Sequence, residues 1–311
     1  MQNKRKEPDL TVDLAGIWLK NPITTASGTF SPRDSGQFYD LNQLGAMVTK
    51  GIAPEPWEGN PSPRIAETYG GMLNAVGLQN PGVEAYIREE LPYLEQFSPP
   101  VIANVVGRTV EDYCQVAEAL SHTTVAMLEV NISCPNVKAG GIGFGTDPAM
   151  AALVTREVKR ISKKPVLIKL SPNVTDITEI ARAVESEGAD GISLINTLLG
   201  MSIDARRAKI LLANGTGGLS GPAIKPVALR MVYQVCRAVQ IPVLGLGGIT
   251  TGEDAAEFLM AGASAVSVGT AALVNPLAPM EILQELKEFM IEMGYRTIAE
   301  MRQAFQEGQG K

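Results

Sequence analysis

Residues 127–136, Met-Leu-Glu-Val-Asn-Ile-Ser-Cys-Pro-Asn, join an apolar, β-branched run to a cluster of small polar residues around Cys134. Such a run reads as a buried strand. Parallel-sheet enzymes keep their chemistry where those strands end. A cysteine reacts as its thiolate, and a free thiol titrates near pH 8.5. Cys134 therefore needs its proline-flanked loop and nearby donors to act at neutral pH. Cys114 and Cys236 fall inside helical patterns and read as structural.

Two lysines make a second constellation. Lys50 follows Ala-Met-Val-Thr, and Lys169 follows Val-Leu-Ile, so both stand at the ends of apolar runs. A buried ammonium must be paired or it loses its charge, so an anion is expected beside them. Glycine tips make a third. Leu244-Gly245-Leu246-Gly247-Gly248-Ile249 and Val268-Gly269-Thr270-Ala271 follow the last two strand candidates. In barrels those ends commonly bind phosphate through backbone N–H groups that glycine leaves uncovered.

The elements that would position these residues alternate regularly. Strand candidates are 22–27, 46–50, 101–105, 127–133, 166–171, 191–196, 243–248 and 265–270. Helical patterns separate the later ones: 175–187 places Ile177, Ile180, Ala181 and Val184 on one face, and 223–239, 252–261 and 279–293 follow. Eight βα units predict a (β/α)8 TIM barrel of the α/β class. An open doubly wound sheet would carry a glycine fingerprint after its first strand, and none is there. Segments 10–14 and 17–19 around Ala15-Gly16 read as a hairpin plugging the barrel bottom. Two long loops, 51–82 and 198–222, are placed over the C-terminal face of the strands. Gly141 to Gly145 reads as a lid after Cys134. The strand tips would then converge with Ser27, Gly28, Lys50, Asn104, Asn131, Lys169, Asn196, Thr197, Gly247, Gly248, Gly269 and Thr270.

Bulk composition narrows the function. The 311 residues are 45% hydrophobic and 19% charged, which suits one large globular core, and no linker divides the chain, so a single domain over 1–311 is expected. A net charge of −6 with only short basic clusters argues against a nucleic-acid surface. Three cysteines without a CxxC pair argue against a disulfide scaffold or a metal centre and favour a reducing cytoplasm. The basic start, Met1 to Lys6, leads into Glu7-Pro8-Asp9 rather than an apolar segment, so no signal peptide is expected. His122, the one histidine, follows Ser121 at a helix end and makes a poor triad member. On these features alone a non-redox phosphate-binding barrel, a lyase or isomerase, would explain the glycine tips and one lysine. It would leave the cysteine loop and its asparagines without a purpose.

The chain resembles the dihydroorotate dehydrogenases, flavin enzymes of pyrimidine biosynthesis. The likeness runs through Ala26-Ser27-Gly28-Thr29-Phe30, Thr49-Lys50-Gly51, Gly59-Asn60-Pro61-Ser62-Pro63-Arg64, the run from Asn74 to Gly82, Asn131 to Asn136, Ile168-Lys169-Leu170-Ser171-Pro172 and both glycine tips. The cysteine resembles that of the soluble class 1 enzymes. Thr-Lys-Gly and Gly-Leu-Gln-Asn-Pro-Gly resemble the NAD-linked subclass 1B. One departure is Ser31-Pro32-Arg33-Asp34, where a glycine is expected.

The resemblance implies oxidation of (S)-dihydroorotate to orotate with one FMN per chain. It implies Cys134 as the base that takes the C5 proton while hydride leaves C6. Lys50, Asn74, Ala75, Val76, Gly77, Leu78, Asn131, Asn136, Asn196 and Thr197 would hold the substrate. Ser27, Lys50, Gly51, Asn104, Asn131, Lys169, Ile195, Gly221, Gly247, Gly248, Gly269 and Thr270 would hold FMN, with Lys169 at the flavin N1/O2 edge. It also implies a homodimer of this chain flanked by two partner subunits that carry FAD and a 2Fe–2S cluster. This chain has neither iron–sulfur cysteines nor a dinucleotide fingerprint of its own. A stand-alone, fumarate-using class 1A enzyme and the related dihydropyrimidine dehydrogenase module remain alternatives within the resemblance.

Overall fold

The computed structural model describes residues 7–133 and 143–309. Eight parallel strands form the central sheet: β1 (Ile23–Thr25), β2 (Met47–Val48), β3 (Val101–Val105), β4 (Met127–Asn131), β5 (Val166–Lys169), β6 (Gly191–Leu194), β7 (Val243–Leu246) and β8 (Ala265–Val268). Neighbours follow chain order, and β8 pairs back onto β1. The ring closes between β1 and β2. There Thr24 bridges Ala46, and the Gly45 N–H donates to Ile23 O at 2.8 Å. Thr25 completes the seam with its side chain, since Oγ1 accepts from Val48 N at 2.8 Å and donates to Val48 O at 3.1 Å. The expected (β/α)8 barrel is thus the observed one.

The strands are buried along their whole length because helices cover them outside and side chains fill them inside. Helices Val110–Ser121, Pro148–Ile161, Ile177–Ser186, Lys225–Ala238, Gly252–Met260 and Ala278–Met293 follow β3 to β8. Their starts are written locally. Thr109 with Asp112, and Thr251 with Asp254, form reciprocal capping boxes, and Asp147 and Asp176 cap two more. His122 is exposed at the C-terminal end of Val110–Ser121, on the side where the strands begin, away from the mouth.

The N-terminal hairpin pairs Val12–Leu14 with Ile17–Leu19 and buries Leu14 and Leu19. Its Asp13 shares a hollow with Pro242, Val243 and Ser264, where β7 and β8 start, so it covers the barrel bottom as expected. The first βα connection is a short helical turn, Pro32–Ser35, capped by Ser31 Oγ. Ser31-Pro32 thus supplies an N-cap and an N1 proline where the family pattern suggested a glycine.

The two long segments are not loops alone. Ile65–Thr68, Gly71–Asn74, Gly217–Ser220 and Leu198–Gly200 pair into one antiparallel four-stranded sheet. It has its own small core of Leu73, Ala75 and Leu212. A second hairpin, Ile203–Asp204 with Lys209–Ile210, extends from it. Among the described residues no helix is long and apolar enough to cross a membrane.

Candidate active site

Every barrel strand ends sooner than the apolar pattern suggests, except β3. Residues at and just beyond the strand ends line a cavity of about 570 Å³ at the mouth, under the four-stranded sheet. Ser27, Lys50, Gly51, Asn104, Asn131, Lys169, Ile195, Asn196, Thr197, Gly221, Gly247, Gly248, Gly269 and Thr270 all line it. So do Asn74, Ala75, Val76, Gly77 and Leu78, brought over the barrel by the sheet. Cys134 and Asn136 lie outside the described residues, as do Gly141 and Ile142 of the expected lid. Its far end is anchored: Phe144 is buried edge-on against Tyr113, with ring centroids 5.8 Å apart.

Register explains the polar floor. Asn104 pairs with Glu129, and Asn131 pairs with Lys169, so these four side chains come from neighbouring positions on β3, β4 and β5. Lys169 Nζ donates to Ser27 Oγ at 3.0 Å and stands 3.4 Å from Glu129 Oε2. The same oxygen accepts from Asn104 Nδ2 at 2.5 Å. The anion expected at Lys169 is therefore met first by a carboxylate of this chain. Glu129 is 1% exposed and Lys169 2%, a pairing that burial demands. Asn104 Oδ1 is left buried with no partner among the described residues. Such an atom calls for a donor.

The Lys50 ammonium has no hydrogen bond or ion pair among the described residues, although the residue is half-buried; only its carbonyl is engaged, by Thr49 Oγ1 at 3.1 Å. Burial, and then the neighbouring Arg64 charge, lower its pKa from the usual lysine value. It is the cavity cation with charge to spare for an anionic ligand.

Across the floor, Asn196 Nδ2 donates to Ser133 Oγ at 2.6 Å and to Asn131 Oδ1 at 3.3 Å. Ser133 Oγ in turn donates to Asn131 Oδ1 at 2.7 Å. Tyr113 OH donates to Asn131 O at 2.9 Å from below. The loop carrying Asn74 to Leu78 is set by Asn60, whose Nδ2 donates to Ala75 O at 2.9 Å, and by Asn80, whose Oδ1 accepts from Ala53 N and Gly82 N.

The glycine tips are glycines for steric reasons. Gly247 has φ +129°, and a Cβ there would stand 2.6 Å from Ala228 Cβ. Gly248 has φ +76°, and its Cβ would stand 2.8 Å from Gly221 O. Beside them Thr270–Val274 begins with no side-chain cap, and the Thr270 and Ala271 N–H groups have no partner among the described residues, while Ala272 N donates to Gly269 O at 2.9 Å. Thr270 Oγ1 donates to Ser220 Oγ at 2.8 Å, tying this edge to the overlying sheet.

The model of the dihydroorotate dehydrogenase family matches residues 9–290 of this sequence. The chain belongs to the dihydroorotate dehydrogenase family. Among its relatives is the "Dihydroorotate dehydrogenase B (NAD(+)), catalytic subunit" of Alkaliphilus metalliredigens, 59% identical over 94% of this chain and 98% of the relative. The protein of the same name from Alkaliphilus oremlandii is 60% identical over 94% of this chain and 97% of its own length. That from Lachnoclostridium phytofermentans is 58% identical over 90% and 93%. In this dihydroorotate dehydrogenase family member, all the described residues that the resemblance assigns to substrate or flavin line one cavity.

Other residues of the site carry no functional signature in the sequence. Ser133 and Asn60 line the cavity, and Glu129 lies buried beneath it, against the lining residues Asn104 and Lys169. Asn173 also lines the cavity and donates to Thr197 O at 3.1 Å. A charged residue in the middle of an apolar strand was the signal for Glu129, because it must find a buried partner. Cys114 and Cys236, read as structural, are half-buried on helices. Burial raises both thiols above the usual cysteine range, Cys236 to about 12, so neither supplies thiolate at neutral pH.

Proposed function

We propose that this chain is the FMN-bearing catalytic subunit of an NAD-linked dihydroorotate dehydrogenase. It oxidises (S)-dihydroorotate to orotate in pyrimidine biosynthesis. Electrons then leave through a partner subunit carrying FAD and a 2Fe–2S cluster, with NAD+ as the final acceptor. The assembly is a homodimer of this chain flanked by two partner subunits, and it works in the cytoplasm. The observation that carries the reading is the mouth cavity, where an unpaired Lys50 faces the polar floor of Asn131, Asn196 and Lys169.

The residues suit FMN on three counts. The buried, unpartnered Asn104 Oδ1 offers an acceptor for a ring N–H. Lys169 offers a cation beside it. The Gly247-Gly248 turn, where a Cβ would collide, and the open N–H groups after Gly269 suit a phosphate. Ser27, Gly51, Ile195 and Gly221 would flank the ring and ribityl chain.

Bound FMN would supply one thing, acceptance of the C6 hydride at N5. The chain supplies the rest. Lys50 pairs with the substrate carboxylate. Asn74, Asn131, Asn136, Asn196 and Thr197 hold the imide and amide edges, since amides and hydroxyls offer both donors and acceptors. Ala75 to Leu78 close over the substrate. Cys134 takes the C5 proton, so that one hydride and one proton leave and the ring double bond forms.

The test uses the purified full chain, loaded with FMN under anaerobic conditions. Dihydroorotate should bleach the flavin, and NAD+ should reoxidise it only when the partner subunit is added. Rapid reoxidation by fumarate without a partner would reject the NAD-linked assignment. A chain that cannot take up FMN would reject the flavin reading.

A further inference from the structure

Glu129 has no part in the function proposed above, yet it organises the cavity floor. Among the described residues it is the only carboxylate paired with either cavity lysine. Its Oε2 receives two donors, Asn104 Nδ2 at 2.5 Å and Lys169 Nζ at 3.4 Å. An ionised carboxylate has no proton to give, so only the amide nitrogen of Asn104 can face it. That settles which way the amide points and commits Oδ1 to the buried position where it lacks a partner. The wall on that side is Gly51, where a Cβ would stand 3.2 Å from Oδ1.

The second effect is on charge. Lys169 would otherwise present an uncompensated ammonium to whatever lies in the cavity. With Glu129 beside it in the same low-dielectric layer, the two charges largely cancel at a distance. A ligand that gains negative charge during the reaction feels that cancellation. Flavin reduction is such a case, because two electrons arrive with the hydride while the proton goes elsewhere.

We infer that Glu129 is a positioning residue of the cofactor site: it fixes Asn104 as a hydrogen-bond acceptor and offsets Lys169, keeping the flavin harder to reduce than Lys169 alone would make it. The inference rests on the FMN reading above. Removing the carboxylate charge must favour reduced over oxidised FMN. General damage to the floor would instead weaken both forms alike.

The experiment is a redox titration of the FMN-loaded full chain against a reference dye, for wild type, Glu129→Gln and Glu129→Asp. Glu129→Gln should shift the ratio of reduced to oxidised affinity at least about tenfold toward the reduced form. For a two-electron couple that is a rise of about 30 mV. Glu129→Asp keeps the charge but withdraws it by one methylene, and should move the ratio the same way by about threefold. If the Gln variant does not fold or does not hold FMN, the Asp variant decides. Ratios unchanged or shifted toward oxidised FMN, in a variant that binds it, overturn this inference and leave the FMN reading standing. Wild-type protein that binds no FMN overturns both.

Discussion

Asn196 donates its Nδ2 to Asn131 Oδ1 at 3.3 Å, joining the mouth ends of β6 and β4 across the intervening β5. Ser133 shares the contact, so three side chains from two strand ends hold one another in place. Removing Asn196 leaves the Ser133 hydroxyl without its donor and Asn131 Oδ1 with only those of Ser133. Asn196→Ala should therefore cost roughly 1–2 kcal/mol of orotate binding, about tenfold in Kd. Orotate titration followed by flavin absorbance checks it, and a wild-type Kd would contradict it.

Lys50 bears the opposite trade. Burial and Arg64 hold its pKa below the usual lysine value in the folded, ligand-free protein. The unfolded chain therefore binds more protons between that lowered value and the usual one, and stability rises with pH across this interval. Below it the folded state carries the full cost of burying the charge. Lys50→Met should stabilise the ligand-free protein near neutral pH by about 1 kcal/mol. The gain should vanish above the usual lysine range. The same variant should lose roughly 2–5 kcal/mol of orotate binding. Thermal unfolding against pH, with and without orotate, measures both.

Gly248→Ala puts a Cβ 2.8 Å from Gly221 O at a φ of +76°. The strain is about 1–3 kcal/mol. The expected outcome is a lower Tm together with loss of bound FMN, read from flavin content after gel filtration. A variant that keeps its full flavin complement would remove the phosphate role from this turn.

The four-stranded sheet over the mouth rests on a core of its own, Leu73, Ala75 and Leu212. Leu212→Ala should loosen that sheet without opening the barrel, because local units unfold separately. Faster amide exchange is expected at 65–74 and 198–220, with barrel strands unchanged. KM for dihydroorotate should rise several-fold while FMN stays bound. Uniform acceleration of exchange across the barrel would contradict the separation.

The barrel is legible because its strands are short, buried, mostly apolar runs and its helices are amphipathic, so two periods alternate along the chain. The strand ends were legible as chemistry because lysine and paired glycines are poor ways to end a buried run without a ligand. The overlying sheet was not. Its strands are three or four residues long and leave Ile65 and Leu199 more than half exposed, so no alternating pattern marks them. Their pairing joins segments more than a hundred residues apart, Asn74 with Gly218. Glu129 escaped for a related reason. Its partners, Asn104 and Lys169, stand on two other strands, and only closure of the sheet brings the three together.

In the function proposed above, Cys134 takes a proton from a substrate that Lys50 and the asparagines hold against FMN. The decisive measurement is flavin bleaching after anaerobic mixing of FMN-loaded Cys134→Ala protein with dihydroorotate. The variant should keep FMN and bind orotate, yet bleach roughly 10²- to 10⁴-fold more slowly than wild type. Bleaching at the wild-type rate would contradict it.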